Sequence, residues 1–248
     1  MSRKDRYKKK LKAEAVKSGI YAKSPSSGLN GSYVIVNHPI IYPWMTELPD
    51  EVEQAEERFN HLAQTSPSRA IPELLELIER YPQVPTFHNY LLVAYQGIGD
   101  YSKARKLIPL TFQQFPDYLF ARVNYVSFLM QSGNLRKAGQ LLDGKFTIDA
   151  HYPDRTEFHV TEIAAFNSIV GVYLANTGRH AEACQLYRVL RSVAPRHHLT
   201  AVLREELEQL DSFEIEKAKP TGMNSEGDTS GERRSWVKEL LARLLGRI

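Results

Sequence analysis

The chain has 248 residues, 42% hydrophobic and 25% charged, with a formal net charge of +3; it can bury a sizeable core, is not disordered as a whole, and is too weakly basic to make nucleic acid the default partner. One cysteine, Cys184, excludes a disulfide framework and a Cys-based zinc set and fits a reducing compartment. No run approaches the roughly 18 apolar residues of a spanning helix, and the charged N-terminus lacks an apolar signal core, so a soluble, cytoplasmic protein is expected.

The net charge hides an asymmetry, because residues 1–23 sum to +7 and residues 24–248 to −4. Residues 1–31 are expected to form a basic disordered arm ending in a Gly/Ser joint from Ser24 to Gly31. Residues 32–49 are expected to be extended, with a β-like run at Ser32–Val36 and a proline-punctuated aromatic stretch from His38 to Pro49. Inside that stretch, Tyr42-Pro43-Trp44-Met45 is similar to the short peptide with which Hox transcription factors dock onto partner homeodomains, although the chain shows no homeodomain. Tyr42, Trp44 and Met45 are therefore a candidate docking segment; the plainer reading packs them on the edge of the first helix pair as a cap. From Asp50 the pattern turns helical, with Asp50 and Glu53 as a capping pair and Val52, Ala55, Phe59 and Leu62 at helical spacing.

A fixed period follows. Ala70, Ala104 and Ala138 are spaced by 34 residues, as are Gly99 and Gly133, and Pro82 and Pro116. Gly133 to Gly178 and Ala138 to Ala183 are both 45 apart, so two markers slip by the same 11 residues. That is one insertion in an array, expected within Gly144–Thr156. The physical reasons for the markers are local. Two antiparallel helices approach closely only where a contact residue is small, glycine permits the positive φ that ends a first helix, and proline stops a second. Pro72 and Pro109, inside second helices, are expected to bend or shorten them.

The 34-residue period, with Gly-Asp-Tyr-x-x-Ala at Gly99–Ala104 and Pro116 closing the unit, resembles the tetratricopeptide repeat (TPR). Units begin at Glu51, Pro85, Leu119 and Ala164, and the resemblance covers about residues 50–217. It implies an all-α fold, an α-solenoid of about four degenerate helix pairs. After Pro195, the stripe Leu199, Val202, Leu203, Leu207, Leu210 and Phe213 reads as a C-terminal capping helix. Residues 218–232 read as a flexible linker. Residues 233–248 form a detached amphipathic helix whose apolar arc includes Trp236, Leu240 and Leu244, with a net charge of +4.

TPR folds bind extended peptides along their first helices. In register, the resemblance places Thr86, Asn89, Val93 and Gln96, then Phe120, Val123, Asn124, Ser127, Met130 and Gln131, then Ser168, Val172 and Asn176 in that groove. No lysine or arginine stands among them, so the acidic C-terminal tail of heat-shock chaperones is not an expected partner; a buried carboxylate needs a cation. The amides suit an uncharged extended segment or a helix, and they are expected to face solvent when the groove is empty.

Catalytic and metal signals are sparse. Gly97-x-Gly99 is a fragment of a phosphate loop with no strand before it. His151, His159 and Glu162 could meet a metal only if the insertion folded back; the simpler reading of Asp149–Glu162 is a solvated loop entering a helix. Cys184 beside Ala183 reads as a buried structural thiol. The expectation is a non-enzymatic interaction module without a cofactor, binding another protein or peptide. The alternative is a nucleic-acid-, ribosome- or membrane-surface-associated factor acting through its ends: weak RNA or anionic-membrane contact through residues 1–23, and self-association or a membrane surface for residues 233–248.

Overall fold

The computed structural model describes residues 33–38, 40, 42, 45 and 48–217, with the backbone alone of Ala22–Lys23 and of the residues beyond Leu210. Most of the basic arm, Trp44, the linker and the amphipathic segment with Trp236, Leu240 and Leu244 lie outside the described residues. The described chain is mostly helical: α1 Asp50–Thr65, α2 Pro67–Arg80, α3 Pro85–Gly97, α4 Tyr101–Gln114, α5 Leu119–Gln131, α6 Leu135–Leu142, α7 Ile148–His151, α8 Val160–Asn176, α9 His180–Val193 and α10 His198–Lys217. Three short strands accompany them: β1 Ala22–Lys23, β2 Val34–Val36 and β3 Glu157–His159. No helix among the described residues is long and apolar enough to cross a membrane.

The chain divides into two compact units, one holding the residues up to Arg122 together with Asp149–Ile163, the other Val123–Ile148 and the residues from Ala164 onward. In the first unit α1, α2 and α3 pack on one another and α4 packs on α3. Val52, Phe59, Leu74, Phe87, Leu91 and Ile108 are buried in that core. The sheet belongs to this unit. β2 pairs antiparallel with β1 (Ala22 opposite Ile35) and parallel with β3 (Ile35 opposite Phe158). The β-like run is thus a real strand, and its parallel neighbour is the segment just after the expected insertion, Glu157–His159. In the second unit α9 packs on α10, and Leu142, Phe166, Leu174, Leu190 and Leu203 are buried.

The sequence markers fall where sterics require. Ala70, Ala104, Ala138 and Ala183 are all buried. Gly99, Gly133 and Gly178 each adopt φ between 76 and 81°, a region L residues enter only with strain. Asp100 and Asn134 then cap the following helices, accepting from the backbone N–H of Lys103 at 3.1 Å and Lys137 at 3.2 Å. Gly171 of α8 meets α10: a Cβ there would stand 2.5–2.7 Å from Leu203 methyl carbons.

Other expectations need correction. Asp50 and Glu53 do not form a capping box; Pro49 stands at the N-cap and no side chain caps α1. Of the two effects expected of Pro72 and Pro109, bending or shortening, the second does not occur: the helices run through both to Arg80 and Gln114, since each proline removes only one ladder bond. The second pair of the insertion's flank starts earlier than Ala164, at Val160. Asp149–Glu162 is not a solvated loop: it contains α7, β3 and the first turn of α8, with Tyr152, Phe158 and Glu162 buried. Cys184 is only half-buried.

Candidate functional site

The densest polar constellation is in the first unit, around the insertion. Arg155 follows α7, and Glu162 lies one turn into α8, which β3 leads into. The Arg155 guanidinium donates to both carboxylate oxygens of Glu162, Nη1 to Oε1 at 2.9 Å and Nη2 to Oε2 at 2.7 Å. The Tyr42 hydroxyl donates to Oε1 at 2.7 Å and the His159 backbone N–H to Oε2 at 2.9 Å. Four donors thus fill the four acceptor sites of a carboxylate whose side chain is 1% exposed. The guanidinium also lies over three rings, 4.4 Å from the Phe158 centroid, 5.4 Å from Tyr42 and 5.8 Å from Tyr152.

Tyr42 reaches this place through the proline-punctuated segment. A turn closes on the Met45 N–H donating to the Tyr42 carbonyl at 3.0 Å, and Met45 is buried. The Tyr42 ring meets Tyr118 edge-on at 6.1 Å. Burial and the adjacent Glu162 carboxylate hold the Tyr42 phenol well above its ordinary pKa, and burial does the same for Tyr118. Met45 is thus buried, and Tyr42 meets Tyr118, Glu162 and Arg155.

This arrangement is a clamp. The Glu162 carboxylate is held entirely by donors of the protein itself. His159 is equally engaged, Nδ1 with Thr161 Oγ1 at 2.7 Å and Nε2 with the Asn37 carbonyl at 3.3 Å, and burial lowers its pKa. His151 stands beside the Tyr152 ring. The described residues contain no group of three His, Cys, Asp or Glu able to hold a metal ion.

Of the thirteen groove positions, ten are buried: Asn89, Val93, Gln96, Val123, Asn124, Ser127, Met130, Gln131, Ser168 and Val172. The expectation that their amides face solvent is not met, because the helix faces that carry them are packed. Several also spend their polar atoms on the fold. Ser168 Oγ donates to the Leu199 carbonyl at 2.9 Å, and Gln131 Nε2 to Ser127 Oγ at 3.3 Å. Asn176 Nδ2 donates to the Val172 carbonyl at 2.9 Å and to Glu206 Oε1 at 2.7 Å. Thr86 Oγ1 donates to Glu56 Oε1 at 2.6 Å. Thr86, Phe120 and Asn176 keep partial exposure.

Sequence reasoning missed two buried glutamates, Glu56 and Glu206, and named Glu162 without foreseeing its burial. Each sits among apolar helix positions, which is the one local signal available. His88 was missed too: it is buried against Phe115 at 5.1 Å, with no hydrogen-bond partner at Nε2, and burial lowers its pKa. Compared with protein-family models, curated proteins and solved structures, the chain finds no match.

Proposed function

We propose that the chain is a non-catalytic protein–protein interaction module, an α-solenoid of TPR-like helix pairs that takes an uncharged extended segment or a helix of another protein along its first helices. The observation that carries this reading is a coincidence of register. A left-handed glycine precedes a buried alanine by five residues at Gly99/Ala104, Gly133/Ala138 and Gly178/Ala183. The same device, repeated, is what stacked helix pairs need and what an isolated catalytic domain does not. Support against catalysis comes from the clamp: the most polar cluster has its acceptor sites filled by the protein itself. Within the first unit, Thr86 and Phe120 offer the accessible part of the first-helix face.

Capture of a partner by the full chain at low and at high salt tests the reading. A module that binds through uncharged helix faces retains its protein partner at both. Retention that collapses with salt and needs residues 1–23 would instead mark phosphate contacts by the basic arm.

A further inference from the structure

By the repeat register α1, α3, α5 and α8 are the first helices of their pairs, and their groups meet in one patch of the first unit. Glu56 of α1 accepts from Thr86 of α3 at 2.6 Å. Tyr118 starts α5, its carbonyl accepting from the Arg122 N–H at 3.2 Å. Its side chain is buried, and after burial the neighbouring Tyr42, Tyr90, Glu56 and Glu162 hold its phenol high. Glu162 stands in the first turn of α8.

The chain itself covers this patch. Tyr42 donates to Glu162 at 2.7 Å, sets its ring edge-on to Tyr118 at 6.1 Å and lies under the Arg155 guanidinium at 5.4 Å. Three residues on, Met45 is buried as well. Those holds are made by side chains, while the Met45 N–H turns back to the Tyr42 carbonyl at 3.0 Å. Pro39 and Pro43 flank Tyr42 in the sequence, and proline reduces the freedom that a segment gives up on docking. Side chains of another chain could make the same contacts.

We propose that the segment carrying Tyr42 and Met45 is a built-in competitor for this patch, and that the partner segment displacing it carries a tyrosine with an apolar residue three positions on. The hydroxyl is required because Glu162 is buried and loses a donor when phenylalanine replaces tyrosine. The inference rests on the interaction-module reading and narrows it to one ligand chemistry and one means of control. The tether holds the competitor at an effective concentration on the order of millimolar, so an untethered segment is at a disadvantage until Tyr42 is removed.

The test is a fluorescein-labelled synthetic peptide with the sequence of residues 38–49, titrated into the full chain and followed by anisotropy. Tyr42→Ala is expected to bind it at least about tenfold more tightly than wild type does. A peptide with phenylalanine at the tyrosine position is expected to bind about tenfold more weakly. Should Tyr42→Ala fail to fold, Met45→Ala makes the same comparison. A peptide with a benzophenone at its tryptophan position needs no substitution in the chain, and its adduct is expected on the stretches around Tyr118 or Arg155. Equal affinity of wild type and variant, equal affinity of the two peptides, no binding to any chain, or adducts confined elsewhere overturns the proposal. Failure of the peptide while a protein partner is retained at low and high salt overturns this inference alone. Peptide binding as expected, with partner retention that needs residues 1–23, overturns the module reading instead.

Discussion

Arg155 grips Glu162 through both carboxylate oxygens, at 2.9 and 2.7 Å, and this buried pair is the point at which the insertion, the start of α8 and the N-terminal segment meet. Burying such a pair costs desolvation energy that its Coulomb attraction repays only with good geometry and full hydrogen bonding. Both conditions hold here. Removing one partner leaves the other charge stranded, so Arg155→Ala should lose about 3–5 kcal/mol of stability. Arg155→Met combined with Glu162→Leu should recover most of that loss, and urea unfolding of the two variants measures the difference.

Tyr42→Phe removes one hydrogen bond to the same carboxylate, worth about 1.5–3 kcal/mol. Because Tyr42 lies six residues after Val36 on the chain that pairs with β3, its loss should also speed amide exchange at Val34, whose N–H donates to the Thr156 carbonyl at 2.8 Å. Exchange rates at Val34 that stay unchanged would mean that β2 is held independently of the clamp.

The titrating groups bound the pH range of stability. His88 and His159 have pKa values lowered below 6.5 by burial. The stability they contribute is present above about pH 6.5 and is lost as the pH falls through their lower folded values. Tyr42, Tyr118 and Tyr152 have pKa values raised above 10.0, burial being the largest cause. Their contribution is complete below pH 10 and is lost as the pH climbs through the folded values. A plot of urea midpoint against pH should therefore fall on both sides, and His88→Phe should flatten the acid limb.

The helix crossings should be intolerant of added volume. Ala104→Leu and Ala138→Leu should each cost about 1–3 kcal/mol, and Gly171→Ala should destabilise too, because its Cβ has no room beside Leu203. Ala13→Leu in the basic arm serves as the neutral control. Melting temperatures equal to wild type in all of these would dissolve the repeat register.

The helices and their crossings were legible because alanine, glycine and proline act locally: Gly99 announces a left-handed turn and Ala104 a close contact whatever the rest of the chain does. The clamp was not legible. Tyr42 and Glu162 are 120 residues apart, and no periodicity links a tyrosine in an extended segment to a glutamate in a distant helix. The shared slip of 11 residues pointed to Gly144–Thr156, but the strand β3 at Glu157–His159 lies just beyond it and depends on pairing with Val34–Val36, which composition cannot reveal. The groove amides were misjudged for a related reason. Register says which face of a first helix a residue occupies, whereas burial depends on how closely neighbouring elements pack. Asn176 illustrates it, held by Glu206; Asn176→Ala should cost about 1–3 kcal/mol by leaving that buried carboxylate short of a donor, a stability effect where a free groove amide would have given only a binding effect.

The most direct test of the interaction-module account is site-specific photo-cross-linking in the full chain, with a photoreactive residue placed at Thr86 or Phe120 on first helices and, for comparison, at Lys106 or Gln113 on the outer face of α4. The account predicts a discrete protein adduct from Thr86 and Phe120 and none from Lys106 and Gln113. Adducts arising only from residues 1–23, or adducts to nucleic acid or lipid in place of protein, would contradict it.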